Sequence, residues 1–584
     1  MVCKGLGDDT INILIGGEAG QGITRSGSLL GRALMRGGLH VFGTNEYPSL
    51  IRGGHNYYLL RASARDVNSH IAKLDVVVAL NKETALLHES QLNDGGYIVV
   101  DDVTEFNDGD LKRMDAHLYK IPMTTIVKDL GGPDIMRNTV ALGGVLRLLG
   151  LDHTILMDLV ASTFAKKEVA EMNLTAIDRG YNYAKEHHYG SELKIENLET
   201  GSMRIFLTGN DSIALGAISA GCRFYAAYPM TPASAILDYM MAHDDETGMV
   251  VIQTESELAA MNMVVGAGYT GLRAMTATSG GGFSLMAEAL GLAAMTETPI
   301  VVNIGQRPGP STGLATHSAQ GDLLFAIHAS QGEFPRVVVA PGDVEECFYL
   351  TKHAFNLADV FQIPVLIITD KYLVESEKDT VPFDADSVPI KRGKFIELEK
   401  YNGNYKRYQL TGDGVSPRAL PGTTGVIVSS NSNEHRDTGY SNDESKAVTD
   451  MVDKRFMKLP YIIDAVSKLE PARIFGSEKA EVTIVGWGGT KGPILEAIIM
   501  LRNQGIQAKM LQVVFMEPFP AQRVKEELSK SKVNILFENN KTAQLSTLIK
   551  LHTGISIENI SLRYDGRPFD PTEIMEKVLE LIKR

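Results

Sequence analysis

Short runs of β-branched and aliphatic residues recur along this chain, each followed by a glycine-rich turn and then by a stretch with helical spacing. They lie at residues 11–15, 76–80, 98–100, 250–253, 300–304, 337–339, 365–369, 482–485 and 535–537. A strand that is apolar along its whole length must be covered on both faces, and a helix between successive strands supplies the crossover that parallel pairing needs. The pattern predicts an α/β protein of several doubly wound parallel-sheet domains. One core cannot grow to serve 584 residues, so three or four domains are expected. Two polar stretches divide the chain, one around residues 186–203 and one from about 375 to 474, the latter with a loop-like run at 431–439. The expected domains are therefore 8–190, 202–375 and 476–584, with 376–475 as an irregular connecting segment.

Composition removes several function classes. The net charge is −14 and no Lys/Arg run appears, which argues against a nucleic-acid partner. The three cysteines, Cys3, Cys222 and Cys347, are far apart and form no CxxC pair. A disulfide framework, a zinc site or an iron–sulfur cluster held by this chain alone is not expected. No uncharged apolar run reaches the roughly 18 residues a membrane span needs, and the first residues lack a signal peptide's apolar segment. A cytoplasmic protein without a membrane partner is expected.

Gly16-Gly17-Glu18-Ala19-Gly20-Gln21-Gly22 follows the first apolar run and opens a helix at 23–36. Glycines at such a turn let backbone amides approach an anion. The spacing is GxxGxG, not GxGxxG, and no Gly-Lys-Ser/Thr follows, which excludes a Walker loop. Gly20 and Gly22 are candidate cofactor contacts, as are Arg52 and His55 in Arg52-Gly53-Gly54-His55. A tight turn that binds nothing explains the same residues.

Tyr228-Pro229-Met230-Thr231-Pro232 stands between a strand at 223–228 and a helix at 233–241. Pro232 suits the first helical position and Thr231 the N-cap. The same hydroxyl at a helix N-terminus also suits a substrate carboxylate. Glu255 and Glu257 follow the run at 250–253, and nothing local separates them. Thr278-Ser279-Gly280-Gly281-Gly282 is a glycine turn whose backbone can lie against a flat ring. Arg307 ends the run at 300–304 in a loop held by Pro and Gly that also carries Thr312 and Thr316. Loops beyond strand C-termini are where open α/β sheets bind ligands, and a guanidinium there suits a carboxylate.

Taken in order, these motifs resemble the 2-oxoacid:ferredoxin oxidoreductases, specifically an alpha subunit fused behind a gamma-type domain, over nearly the whole chain. The resemblance implies a gamma-type domain, a thiamine diphosphate-binding pyrimidine-type domain and a transketolase C-terminal-like domain. It assigns Glu257, nine residues before Gly266, to the ring nitrogen of thiamine diphosphate, with Glu255 second. Tyr228, Thr231, Arg307, Thr312 and Thr316 would meet the 2-oxoacid, and Pro229, Thr278, Ser279 and Gly280 the cofactor. The reaction it implies is coenzyme A-dependent oxidative decarboxylation, with electrons passed to ferredoxin.

The family's Mg²⁺ and diphosphate need a Gly-Asp-Gly motif with Asn some 25–30 residues on. Gly412-Asp413-Gly414 is read as a decoy: a polar basic run precedes it, and Pro417 and Pro421 bar the following helix. A beta subunit is therefore expected to bring Mg²⁺, the diphosphate grip and a [4Fe–4S] cluster. Two rival readings are a nicotinamide-dependent dehydrogenase using the N-terminal turn and a non-catalytic scaffold with a vestigial thiamine fold.

Overall fold

The computed structural model describes residues 10–582 except 51–52, 107–108, 114, 164–165, 190–202, 398 and 400–403. The chain forms two compact units. One comprises residues 1–207, 375–382 and 570–573, the other 208–374, 383–569 and 574–584.

The first unit holds an eight-stranded sheet. Its strands are β1 (Thr10–Glu18), β2 (His40–Glu46), β3 (His55–Ser63), β4 (Leu74–Ala79), β5 (Leu92–Asp101), β6 (His117–Ile121), β7 (Ile205–Thr208) and β14 (Glu377–Thr380), in the order β6-β5-β4-β1-β3-β2-β14-β7. The pairs β1–β4, β4–β5 and β5–β6 are parallel as expected. The pairs β1–β3, β2–β3 and β2–β14 are antiparallel, so this sheet is mixed. Only residues 47–54 separate β2 from β3, and a connection that short permits only antiparallel pairing.

The second unit holds two parallel-rich sheets. The seven-stranded one comprises β8 (Cys222–Ala227), β9 (Val250–Gln253), β10 (Arg273–Ser279), β11 (Ile300–Gln306), β12 (Val337–Val339), β13 (Pro364–Asp370) and β18 (Phe515–Glu517), in the order β18-β12-β13-β11-β10-β8-β9. Only the edge pair β12–β18 is antiparallel. β10, β11 and β13 are buried at every position; β11 and β13 carry the apolar runs at 300–304 and 365–369, whereas β10, with Arg273, Thr276, Thr278 and Ser279, shows no such run. The five-stranded sheet comprises β15 (Ala472–Gly476), β16 (Val482–Gly486), β17 (Ala508–Val513), β19 (Val533–Glu538) and β20 (Asn559–Leu562), in the order β15-β17-β16-β19-β20.

The stretch 376–475 is not wholly irregular. It contributes β14 and two helices, Ser445–Phe456 and Leu459–Ser467. The first helix buries Met451 and is also held by charge. Lys454 reaches Glu297 at 2.6 Å and Lys458, just beyond it, does the same, with all three side chains buried.

Candidate active site

The C-terminal ends of β8, β10 and β11, adjacent in the seven-stranded sheet, bring the central motifs together. Beyond β8 the chain runs through Tyr228 to Pro232, with a cis peptide between Thr231 and Pro232. The helix then starts at Ser234 with Ala233 at its N-cap. Thr231 thus does not cap the helix, and Pro232 is not its first residue. The backbone there is gripped from two sides: Arg307 Nη1 donates to the Thr231 carbonyl at 2.8 Å, and Asn210 Nδ2 donates to the Pro232 carbonyl at 2.9 Å.

The structure separates the two glutamates. Ser256 caps the helix Glu257–Tyr269, its hydroxyl accepting from Ala259 N. Glu257 is thereby the first helical residue and turns inward, 3 % exposed, whereas Glu255 is exposed. Glu257 Oε1 is buried with no hydrogen-bond partner, as are Thr278 Oγ1 and Ser279 Oγ at the end of β10. A buried polar atom left unpaired is costly, so three at one place mark where a ligand's polar groups belong.

The glycine turn is the opening of the helix Gly280–Met295. Its glycines admit different neighbours. A Cβ on Gly282 would stand 1.9 Å from Thr278 Oγ1 and 2.5 Å from Glu257 Oε1; one on Gly280 would stand 2.1 Å from Asp322 Oδ2. Gly281 lies open, with the Ser311 carbonyl 3.7 Å from where its Cβ would be. The loop after β11 therefore passes over this turn. Within that loop Thr312 is exposed, while Thr316 is buried beside His317, Oγ1 to Nδ1 3.2 Å. Tyr228 and Pro229 are exposed at the edge. Burial lowers the pKa of Arg307, and the charge of Glu257 works against that shift, so the guanidinium and the carboxylate share one electrostatic environment.

A carboxylate and a guanidinium in one electrostatic environment thus stand with orphaned hydroxyls at the opening of a helix. Residues 215–454 match the family described as pyruvate flavodoxin/ferredoxin oxidoreductase, thiamine diphosphate-binding. Residues 12–183 match pyruvate ferredoxin/flavodoxin oxidoreductase, and residues 480–574 match pyruvate:ferredoxin oxidoreductase core domain II. The chain is 33 % identical to 2-oxoacid:ferredoxin oxidoreductase 2, subunit alpha, of Aeropyrum pernix, over 98 % of each chain. It belongs to the 2-oxoacid:ferredoxin oxidoreductase alpha subunits. The 2-oxoglutarate synthase subunit KorA of Methanothermobacter marburgensis is 33 % identical over 64 % of this chain and 98 % of its own length. Among solved structures, the 2-oxoglutarate:ferredoxin oxidoreductase from Magnetococcus marinus with 2-oxoglutarate, coenzyme A and succinyl-CoA bound superposes with a TM-score of 0.91, 33 % identity, and coverage of 99 % of this chain and 100 % of that one.

In this 2-oxoacid:ferredoxin oxidoreductase subunit the glycine-turn candidates and His55 lie in the first unit. β1 runs on to Glu18, so the N-terminal turn is only Ala19–Gly22, shorter than the sequence suggested. Gly20 and Gly22 adopt φ of 92° and 72°, conformations that favour glycine whatever binds there. His55 opens β3 with Nε2 2.7 Å from His88 Nε2, and burial pushes its pKa down to about 4. Arg52 lies outside the described residues. Asp413 closes a local turn, accepting from Thr411 Oγ1 and Val415 N and pairing with Lys394. Asp322, which no motif flagged, sits against Gly280, and burial pushes its carboxyl up to about 6.

Proposed function

We propose that this chain is the alpha subunit, with a fused gamma-type domain, of a coenzyme A-dependent 2-oxoacid:ferredoxin oxidoreductase. It would decarboxylate a 2-oxoacid oxidatively to acyl-CoA and CO₂ and pass the electrons to ferredoxin. The observation that carries this reading is the buried, unpartnered Glu257 Oε1 above Gly282, in the electrostatic reach of Arg307.

These residues fit the aminopyrimidine end of thiamine diphosphate, which offers polar groups to the orphaned oxygens and a flat ring to the glycine turn. When bound, the cofactor supplies a nucleophilic carbon and a sink for the electrons that decarboxylation leaves behind. Glu257 holds a proton at the ring nitrogen, and its burial strengthens that hydrogen bond. Thr278 and Ser279 offer their hydroxyls beside it. Arg307, held by the Thr231 carbonyl, presents its other donors to the substrate carboxylate. Thr231, Thr312, Thr316 and Tyr228 would meet the same 2-oxoacid, and Pro229 and Gly280 would meet the cofactor.

A beta subunit would complete the site with Mg²⁺, the diphosphate grip and a [4Fe–4S] cluster. Two features support that division. The turn at Asp413 is already satisfied internally, and the helices bearing Glu257 and the glycine turn leave Leu258, Met263 and Leu285 exposed, an apolar face of the kind partners cover. No helix among the described residues is long and apolar enough to cross a membrane, and we place the enzyme in the cytoplasm. The bound 2-oxoglutarate of the Magnetococcus relative makes 2-oxoglutarate the first substrate to test. Co-purification with the beta subunit, followed by assay of oxoacids for coenzyme A-dependent reduction of a viologen dye, tests the reading. Dye reduction that needs neither oxoacid nor coenzyme A would refute it.

A further inference from the structure

The five-stranded sheet has no part in the site described above, yet it grips the loop that carries Arg307, Thr312 and Thr316. That loop leaves β11 at Arg307 and ends where the helix Leu323–His328 begins. Its tip is folded on itself: Leu314 N donates to the Pro308 carbonyl at 3.0 Å, and Gly313 takes φ 54° where a Cβ would stand 1.7 Å from that carbonyl. A tip closed in this way moves as one piece, so its two attachments set where it points.

The exit attachment comes largely from the turns of the five-stranded sheet, with Ser318 also tied to the end of β13, donating to Asp370 Oδ1 and accepting from Tyr372 N, both at 3.2 Å. Gln320 is 1 % exposed, and all four of its polar groups are engaged there. Its N–H donates to the Asn539 carbonyl at 2.7 Å and its Nε2 to the Trp487 carbonyl at 2.8 Å. Its Oε1 accepts from Asn539 N at 2.9 Å and its carbonyl from Asn540 Nδ2 at 2.8 Å. One residue before β16's turn and two after β19 thus hold a loop residue more than a hundred and sixty positions away. Ser318 N adds a bond to the Gly566 carbonyl at 3.1 Å, and the Gln544 side chain donates to the Gly321 carbonyl and accepts from Leu324 N. At the entry, Gln306 ties the ends together, accepting from Asp322 N and donating to the Thr369 carbonyl.

We propose that the five-stranded sheet is the seat of the substrate loop and that Gln320 is the positioning residue that fixes the loop's exit on Trp487, Asn539 and Asn540. The sheet would then serve substrate recognition without touching substrate. This deepens the function proposed above and rests on its assignment of Arg307 to the substrate carboxylate.

Hydrogen–deuterium exchange on the full-length chain in complex with its beta subunit, free of oxoacid, tests the clasp. Gln320→Leu is expected to speed exchange across residues 308–320 by about tenfold or more, as local opening frees those amides, while β11 and β16 stay protected. Gln320→Glu keeps the acceptor for Asn539 N–H and should restore part of the protection. In steady-state assays Gln320→Leu should raise the oxoacid KM by about tenfold with a much smaller change in kcat. Should Gln320→Leu fail to fold, Asn540→Ala removes one bond of the clasp and carries the same test. Unchanged exchange across 308–320 in a folded variant overturns the proposal. The substrate assignment is read separately: if Arg307→Ala leaves the oxoacid KM unchanged, that assignment falls, whereas the exchange result still decides the clasp.

Discussion

Arg307 and Thr231, 76 positions apart, are joined by one hydrogen bond of 2.8 Å from the guanidinium Nη1 to the backbone carbonyl. The contact fixes the cation at the mouth of β11 without neutralising it, because a carbonyl bears no full charge. The remaining guanidinium donors are left for an anion. A charge-assisted bond of this kind contributes about 1.5–3 kcal/mol. Arg307→Ala is expected to raise the oxoacid KM roughly ten- to a hundredfold while thiamine diphosphate affinity, measured by calorimetry, stays within about twofold. Arg307→Lys should recover only part of the loss, since an ammonium cannot make the forked contact.

Gly282 leaves no room for a methyl group between the helix and the pair Thr278 and Glu257. Gly282→Ala should displace one or both of those side chains. Overpacking of this kind costs about 1–3 kcal/mol, visible as a lower melting temperature. Activity should fall far more than stability does. Gly281→Ala, where no atom crowds the added carbon closer than 3.7 Å, is the matched control for sterics.

Asp322 gives a pH dependence with a definite sign. Burial raises its carboxyl to about 6, above the value of about 3.9 expected in an unfolded chain. Between these values the folded form binds more protons than the unfolded form. Its contribution to stability is therefore greatest below about pH 4 and is lost as pH rises through about 6. A shift of that size is worth up to roughly 3 kcal/mol at pH 7. Asp322→Asn should be the more stable protein above about pH 6, and the advantage should vanish toward pH 4. A stability difference between the two that does not change over this range contradicts the assignment.

The helix Ser445–Phe456 and the residues just beyond it depend on Glu297. Burial alone would push that carboxyl up, but Lys454, Lys458 and Arg407 outweigh it and hold it below the usual range. Burial in turn pulls Lys458 down to about 8. Removing the one anion leaves uncompensated buried cations. Glu297→Gln should destabilise by about 3–5 kcal/mol, measured by denaturant unfolding. Glu444→Gln, on the exposed surface beside Arg436, should change stability by less than about 1 kcal/mol.

The strands were the most legible part of this chain. β11 and β13 announce themselves because their apolar runs are buried on both faces, whereas β10, equally buried but with Arg273, Thr276, Thr278 and Ser279 along it, gave no such run. The antiparallel return of β2 to β3 was hidden because apolar content says nothing of direction. Glu257 and Glu255 looked alike locally; their difference comes from Ser256 taking the N-cap, which turns one carboxylate inward and leaves the other in water. Thr231 had every mark of a cap, yet its carbonyl, not its hydroxyl, makes the bond the structure shows. Asp322 and Gln320 gave no signal, since their neighbours come from distant strands. The helix Ser445–Phe456 was missed although Val448, Met451, Val452 and Phe456 keep helical spacing, because the polar stretch around it, with its loop-like run at 431–439, reads as irregular and its buried Lys454 and Arg455 read as solvated positions.

The central claim is that Glu257 brings the proton-holding carboxylate to a site completed by another subunit, and Glu257→Gln tests it most directly. The change keeps shape and removes charge, so the complex should assemble and melt as the wild type does. Coenzyme A-dependent viologen reduction with 2-oxoglutarate should fall by about 10²–10⁴-fold, the range for losing a positioned proton-transfer group. A Glu257→Gln complex that reduces the dye at the wild-type rate would contradict the account.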